Sequence, residues 1–233
     1  MPVPYFYEPS LNIGVNHFTL SPETSKHCVQ VLRMEEGANI DITNGMGDVF
    51  NATLQTAHKA NSMVTIQGHQ SFAATQQKIT LGISLLKNAV RLEWLFEKAT
   101  EMGIHQIVPI ICERTIHERF KMDRMQNILQ SAMIQSQQAW LPLLSEPIAF
   151  NAFMHKHKAS VNLIAHCEPT EKKNIKEIVA LNDVNLLIGP EGDFSSAEIT
   201  MAISNNYTHI QLGPTRLRTE TAGIFALSVL KIF

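Results

Sequence analysis

The sequence predicts an α/β protein in two parts: a small β-barrel over residues 1–72 and, over residues 73–233, an α/β domain with a largely parallel sheet. Three observations carry this expectation. Short β-type runs separated by turn dipeptides fill the first part. After residue 78, strand and helix patterns alternate, which places helices on both faces of a sheet. Near the C-terminus, two apolar runs each end in a Gly-Pro step and lead into a helical pattern: Leu187-Ile-Gly-Pro-Glu-Gly-Asp-Phe-Ser195 and Leu212-Gly-Pro-Thr-Arg-Leu-Arg-Thr-Glu-Thr-Ala-Gly223. Such strand-to-helix loops lie at the carboxyl edge of a parallel sheet, where open α/β folds bind ligands.

In chain order, Ser21 is the expected N-cap and Pro22 the first residue of a helix through Leu32. Strands are expected at Asn39 to Thr43, Val49 to Leu54 and Ser62 to Gly68, with Asn44-Gly45 and Gly47-Asp48 turning the first hairpin. Ala73 to Lys78 is polar and aperiodic, a linker. Ile79 to Leu86 reads as a strand, and Leu92, Leu95, Phe96, Ala99 and Met102 then fall at helical spacing, stopped by Gly103. Ile104 to Cys112 is a buried-type strand and Met122 to Ala139 a long helix. Val161 to Ala165 is a strand ending at His166-Cys-Glu-Pro169, with a helix following through Leu181. Val184 to Ile188 precedes the first Gly-Pro loop, and Ser195-x-x-Glu198 is a capping box for the next helix. Thr208 to Leu212 is the last strand and Thr219 to Phe233 the last helix, capped by Thr219 and Thr221.

Composition excludes several classes. The net charge of −2 is not that of a general nucleic-acid binder. Residues 1–72 hold three Lys/Arg against six Asp/Glu, and residues 73–233 hold sixteen against fifteen, so a polyanion would need a local patch. Arg114, Arg119, Lys121 and Arg124, with His117 among them, are the candidates; the alternative is a solvated helix start. No apolar run approaches bilayer length, and the start of the chain lacks the pattern of a secretory signal. Cys28, Cys112 and Cys167 are widely spaced and read as reduced thiols of a cytoplasmic protein, and no spacing suggests a metal site.

The two loops can be read for chemistry. Gly189-Pro-Glu-Gly192 lacks both the lysine of a Walker phosphate loop and the spacing of a dinucleotide fingerprint. A backbone-lined niche remains, suited to an adenine or a nucleoside. Glu191 either orients this loop, pairs with a base, or pairs with Arg216 or Arg218. Arg216 and Arg218 alternate about Leu217, so one can face a ligand or phosphate and the other a carboxylate such as Glu220. A buried Arg–Glu pair that merely holds the loop is the competing reading.

These motifs bear a resemblance over nearly the whole chain. It resembles the 16S ribosomal RNA uridine-N3 methyltransferases, of the SPOUT class of S-adenosylmethionine-dependent enzymes. His27 to Met34 and Glu36-Gly37 through Asn44-Gly45 look like that family's PUA-like barrel, and Arg91 to Gly103 like its first catalytic-domain helix, with Pro109 and Glu113-Arg114 beyond. Gly189-Pro-Glu-Gly192 and Leu217-Arg-Thr-Glu-Thr-Ala222 are the most specific matches. The resemblance implies a trefoil-knotted C-terminal domain and a homodimer built through it. It implies S-adenosylmethionine bound by His166, Glu168, Ile188, Gly189, Pro190, Glu191, Gly192, Leu212, Gly213, Leu217, Arg218, Thr219, Thr221 and Ala222. It implies 16S rRNA or the small ribosomal subunit as partner, no membrane and no metal. Arg218 would stabilise charge developing on the uridine, Glu220 would orient it, and Arg33 with the Arg114–Arg124 cluster would grip phosphate. A non-catalytic RNA-binding assembly factor of the same fold is the alternative, and a nucleotide-dependent oxidoreductase a more distant one. Three positions depart from the family pattern: Ile134 and Gln138 replace an acid and a base on the middle helix, and Asp193 stands at a second glycine.

Overall fold

The computed structural model describes residues 3–117, 119–178 and 182–231. Two compact units partition the chain: Met1–Ala74 with Gln130–Leu141, and Thr75–Leu129 with Pro142–Phe233. The segment Gln130–Leu141, which the sequence reading assigns to the C-terminal part, thus packs with the N-terminal one.

The first unit is a five-stranded sheet ordered β1-β3-β4-β5-β2. Its strands are β1 (Tyr5–Tyr7), β2 (His17–Thr19), β3 (Asn39–Thr43), β4 (Asp48–Thr56) and β5 (Met63–Ser71). β1 runs parallel to β3, and the other pairs are antiparallel. Alternation on β4 sends Phe50, Ala52 and Leu54 into a core with Leu11, Leu20, Cys28, Ile40, Ile42 and Val64. Helix α1 (Pro22–Lys26) opens on the Ser21 cap, whose Oγ accepts from Thr24 N at 3.3 Å, and continues as a π-helical turn, His27–Val31. The β3–β4 hairpin turns over four residues, with Asn44 Oδ1 accepting from Met46 N and Asp48 N.

The second unit holds β6 (Ile79–Ser84), α2 (Ala89–Glu101), β7 (Gln106–Ile111), β8 (Leu143–Leu144), β9 (Ile148–Ala149), α4 (Phe150–Lys156), β10 (Val161–Ala165), β11 (Lys173–Asn174), β12 (Val184–Ile188), α5 (Ser196–Ser204), β13 (Thr208–Gln211) and α6 (Thr219–Lys231). Helix α3 (Met122–Gln135) begins in this unit and ends in the first. The sheet order is β11-β13-β10-β12-β6-β7-β8, with β9 on β7, and every pairing is parallel. The central strand β12 is buried at every residue and is apolar except for Asn185, whose Nδ2 donates to His157 O and Asn162 Oδ1. On one face Phe150, Phe153, Met154, Phe194, Ile199 and Tyr207 pack against Val108, Ile110, Ile164 and Leu187. Helix α2 meets α6 so closely that a Cβ on Gly223 would lie 2.7 Å from Leu95 Cδ1.

Three expectations about helices are corrected. The long helix ends at Gln135 and not at Ala139, because Gln137 takes a left-handed conformation (φ 53°). There Gln138 N donates to Met133 O and Gln137 N to Ile134 O, a Schellman stop made without a glycine. In place of a helix after Pro169 there are the short strand β11 and a 3₁₀ turn, Ile175–Glu177. The end of that expected helix, residues 179–181, lies outside the described residues, as do Ile232 and Phe233 of the last helix. Thr219 and Thr221 do not cap α6: Arg218 O accepts from Ala222 N at 2.8 Å, so Arg218 is the cap position and both threonines lie within the first turn.

Candidate active site

A cavity of about 560 Å³ opens at the carboxyl ends of β10, β12 and β13, in the second unit. Ala165, Ile188 and Ile210 form its floor at the strand ends, and the loops that follow these strands form its walls. Of the residues assigned to a cofactor from the sequence, His166, Ile188, Gly189, Pro190, Glu191, Leu212, Gly213, Leu217, Arg218, Thr219 and Ala222 line it. Glu220 lines it too, as do Arg91, Cys167, Thr170, Lys172, Asp193, Gln211, Pro214, Thr215 and Arg216, which the cofactor assignment omits. Glu168, Gly192 and Thr221 are not among the lining residues.

The two glycines of the first loop make room for protein. A Cβ on Gly189 would lie 3.0 Å from the ring of Phe194, which is fully buried beneath the loop. A Cβ on Gly192 would lie 3.3 Å from Arg114 Cβ, and Gly192 O accepts from Arg114 Nη1 at 3.0 Å. Arg114 Nη1 also reaches Phe194 O at 3.2 Å, so its guanidinium braces this loop. Glu191 Oε1 accepts from Lys87 N at 3.1 Å, in the turn before α2, and pairs with neither Arg216 nor Arg218.

Asp193 joins two walls. It adopts a left-handed conformation (φ 66°), open to glycine and tolerated by aspartate. Its Oδ2 accepts from Cys167 N at 2.7 Å and its Oδ1 from Phe194 N at 2.8 Å, tying the loop after β10 to the loop after β12. Glu168 turns away, its Oε1 accepting from Ser196 Oγ at 2.6 Å. His166, buried at the floor, contacts His209 Nδ1 through Nε2 at 2.6 Å, and its own Nδ1 is buried with no partner among the described residues. Burial first, then Lys172 and His209, push the His166 imidazole down to about 4, and burial also lowers His209. The His166 ring is therefore neutral at pH 7.

The charge that remains on the wall is positive. Glu220 Oε1 lies 3.5 Å from Arg91 Nε, so the carboxylate expected to orient Arg218 is held by α2 instead. Glu191 and Asp193 are engaged by backbone N–H groups. Arg216 and Arg218 are exposed, and neither side chain has a hydrogen bond or ion pair among the described residues. Two guanidinium forks with open donors beside a backbone-lined floor suit an anion or a group that becomes one.

The residues expected to hold RNA are placed variously. Arg33 is exposed in the first unit, in a left-handed conformation (φ 53°). Arg124 is committed to both carboxylate oxygens of Glu93, through Nε and through Nη2 at 2.8 Å. Arg119 and Lys121 are exposed. Among the described residues no group of His, Cys, Asp or Glu is arranged to hold a metal ion, and no helix is long and apolar enough to cross a membrane.

Comparison with known proteins bears on this arrangement. The model of an RNA methyltransferase domain matches residues 73–231, and that of an RNA methyltransferase PUA domain matches residues 20–62. A Legionella pneumophila protein solved with its bound cofactor SAM is 32% identical, with a TM-score of 0.90 over 99% of this chain and 97% of that one. The ribosomal RNA small subunit methyltransferase E of Neisseria gonorrhoeae, bound to S-adenosyl methionine, is 28% identical, with a TM-score of 0.87 over 98% and 96% of the two chains. The protein of the same name from Synechocystis is 28% identical over 218 residues, 90% of this chain and 71% of that one. With parallel strands ending at a lined cavity and a family model matching residues 73–231, the chain belongs to the RNA methyltransferase family.

Proposed function

We propose that this chain is an S-adenosylmethionine-dependent methyltransferase that modifies N3 of a uridine in the 16S rRNA of the small ribosomal subunit. The observation that carries this reading is the cavity at the ends of β10, β12 and β13, with the uncommitted guanidinium groups of Arg216 and Arg218 on its wall. Its volume, about 560 Å³, falls within the range of small-molecule sites, roughly 300–1,000 Å³. The named relatives, two of them solved with SAM or S-adenosyl methionine, support the choice of cofactor.

When bound, S-adenosylmethionine supplies a methyl group on a sulfonium. Backbone at Gly189, Pro190, Leu212 and Gly213 would receive the nucleoside part, and Leu217 and Ala222 would cover it. Uridine N3 keeps its proton at neutral pH, so methylation leaves the enzyme to accommodate the charge that appears as the proton departs. Arg218 is a fixed cation at the N-cap of α6 that would stabilise that charge in the transition state. Glu220, held by Arg91, fixes the first turn of α6 and is a positioning residue. The first unit would recognise RNA, with Arg33 positioning phosphate there, and Arg119 and Lys121 would position phosphate on the second unit. The same reading gives the second unit a trefoil knot, a homodimer built through it and work in the cytoplasm.

The alternative is a non-catalytic assembly factor. A lined cavity with open donors favours the enzyme, since a protein that only grips RNA has no use for it. Calorimetry with S-adenosylmethionine, followed by transfer of a labelled methyl group to small subunits from a strain lacking the protein, tests the reading. Binding with transfer supports it; binding to the subunit with no cofactor uptake favours the assembly factor.

A further inference from the structure

The first unit carries an apolar surface with no part in the cavity. Met46 at the tip of the β3–β4 hairpin is 54% exposed, Phe72 just after β5 is 43% exposed, and Trp140 is 41% exposed. Backbone holds the three in one place. Met46 and Trp140 form an antiparallel bridge, Trp140 Nε1 donates to Phe72 O at 3.0 Å, and Phe72 N donates to Gly47 O at 2.7 Å. Gly47 N in turn donates to Ala139 O at 2.9 Å. A Cβ on Gly47 (φ 100°) would lie 2.5 Å from the indole ring, so only a glycine lets the ring rest against this turn. The indole is thus supported from beneath and its N–H is already satisfied. What it offers outward is aromatic surface and not a polar handle.

We propose that Met46, Phe72 and Trp140 form a stacking platform for an unpaired base of the RNA substrate. This rests on the reading of the protein as one that acts on RNA. Two observations select the occupant. Residues 1–74 contain three Lys/Arg against six Asp/Glu, and residues 130–141 contain no charged side chain, so the net charge of this unit does not attract RNA and phosphate contact there is left to single residues such as Arg33. Stacking of a base on an aromatic face needs no net charge and tolerates sequence, which fits an RNA methyltransferase PUA match on a negatively charged unit. Three side chains are also far less than the roughly 800 Å² per partner that a stable protein interface buries.

The test uses the full chain and a labelled single-stranded 12-mer RNA of mixed sequence. Trp140→Ala is expected to weaken binding by about 5- to 100-fold, the range for losing one stacked base, and Trp140→Phe to restore most of it. Met46→Ala, whose side chain makes no hydrogen bond, should weaken binding by a smaller factor. The slope of log affinity against log salt should match that of the wild type in all three, because no phosphate contact is lost. S-adenosylmethionine affinity should be unchanged, which reports an intact second unit. If the wild type binds the RNA and folded Trp140→Ala and Met46→Ala bind it equally well, the platform falls while the RNA reading stands. If the wild type binds no RNA, both fall. A change in oligomeric mass on mutating Trp140, without loss of RNA affinity, would instead make the patch a contact between copies of the chain.

Discussion

Arg91 on α2 lies 3.5 Å from Glu220 on α6, and one turn further along the same contact Leu95 packs onto Gly223. The first turn of α6, which follows Arg218 at the cap, is therefore anchored by a helix more than a hundred residues earlier in the chain. The pair is partly exposed (36% and 11%), so its direct worth is at most about 1 kcal/mol. In urea unfolding, Arg91→Ala and Glu220→Ala should each destabilise slightly, and the double variant should lose less than the sum. Strict additivity would show that the two side chains do not interact.

Arg218 has no partner among the described residues, so its removal should spare the fold. Arg218→Lys is expected to lower single-turnover methyl transfer by ~100-fold with little change in melting temperature or cofactor affinity, the loss typical of one preorganised donor. Lysine keeps the charge and loses the planar fork. A variant that transfers methyl at the wild-type rate would move the role to Arg216.

Asp193 separates a backbone requirement from a side-chain one. Asp193→Gly fits the left-handed conformation and loses the bond to Cys167 N; Asp193→Ala loses the bond and adds strain. Alanine should therefore be less stable than glycine by about 1 kcal/mol, and both should bind S-adenosylmethionine more weakly than the wild type. Calorimetry and thermal unfolding of the two variants decide it. Undiminished affinity in the glycine variant would mean that the bridge between the loops does not shape the site.

His166 gives a pH dependence of defined sign. Its folded value, about 4, lies below the 6.5 of an exposed imidazole, so the unfolded chain takes up a proton first as pH falls. The charged and titratable groups near it are Lys172 and His209, which oppose protonation, and Asp193 and Glu168, which favour it. Stability from His166 is fully present above pH 6.5 and is lost as pH falls from about 6.5 to about 4. Urea midpoints across this range should fall more steeply for the wild type than for His166→Gln, and parallel profiles would remove His166 as the cause.

Much of the fold was legible because local patterns there agree with the tertiary structure. Val161–Ala165 and Val184–Ile188 are central strands, apolar except for Asn162 and Asn185, and Ser195 with Glu198 closes a capping box as the spacing implies. The middle helix overran because its stop is a left-handed Gln137, which no sequence rule marks. The segment after Pro169 was misread as a helix because its polar spacing is held by pairing of Lys173 and Asn174 with β13, a non-local bond. The site was legible at its loops and less so at its side chains. Gly189 lies on a loop that lines the cavity, but the small size of Gly189 and Gly192 serves packing, since Phe194 and Arg114 fill the space they leave. Arg91 lines the cavity from α2, distant in sequence from both Gly-Pro loops, and Lys172 from the segment after Pro169; no local pattern marks either as a site residue.

The central claim is the atom methylated. Small subunits from a strain lacking the protein, incubated with the purified chain and S-adenosylmethionine, should gain one N3-methyluridine in their 16S rRNA by mass spectrometry of the nucleosides, and Arg218→Lys should lose most of it. A methyl group on another atom or another RNA, or none despite cofactor binding, would contradict the account.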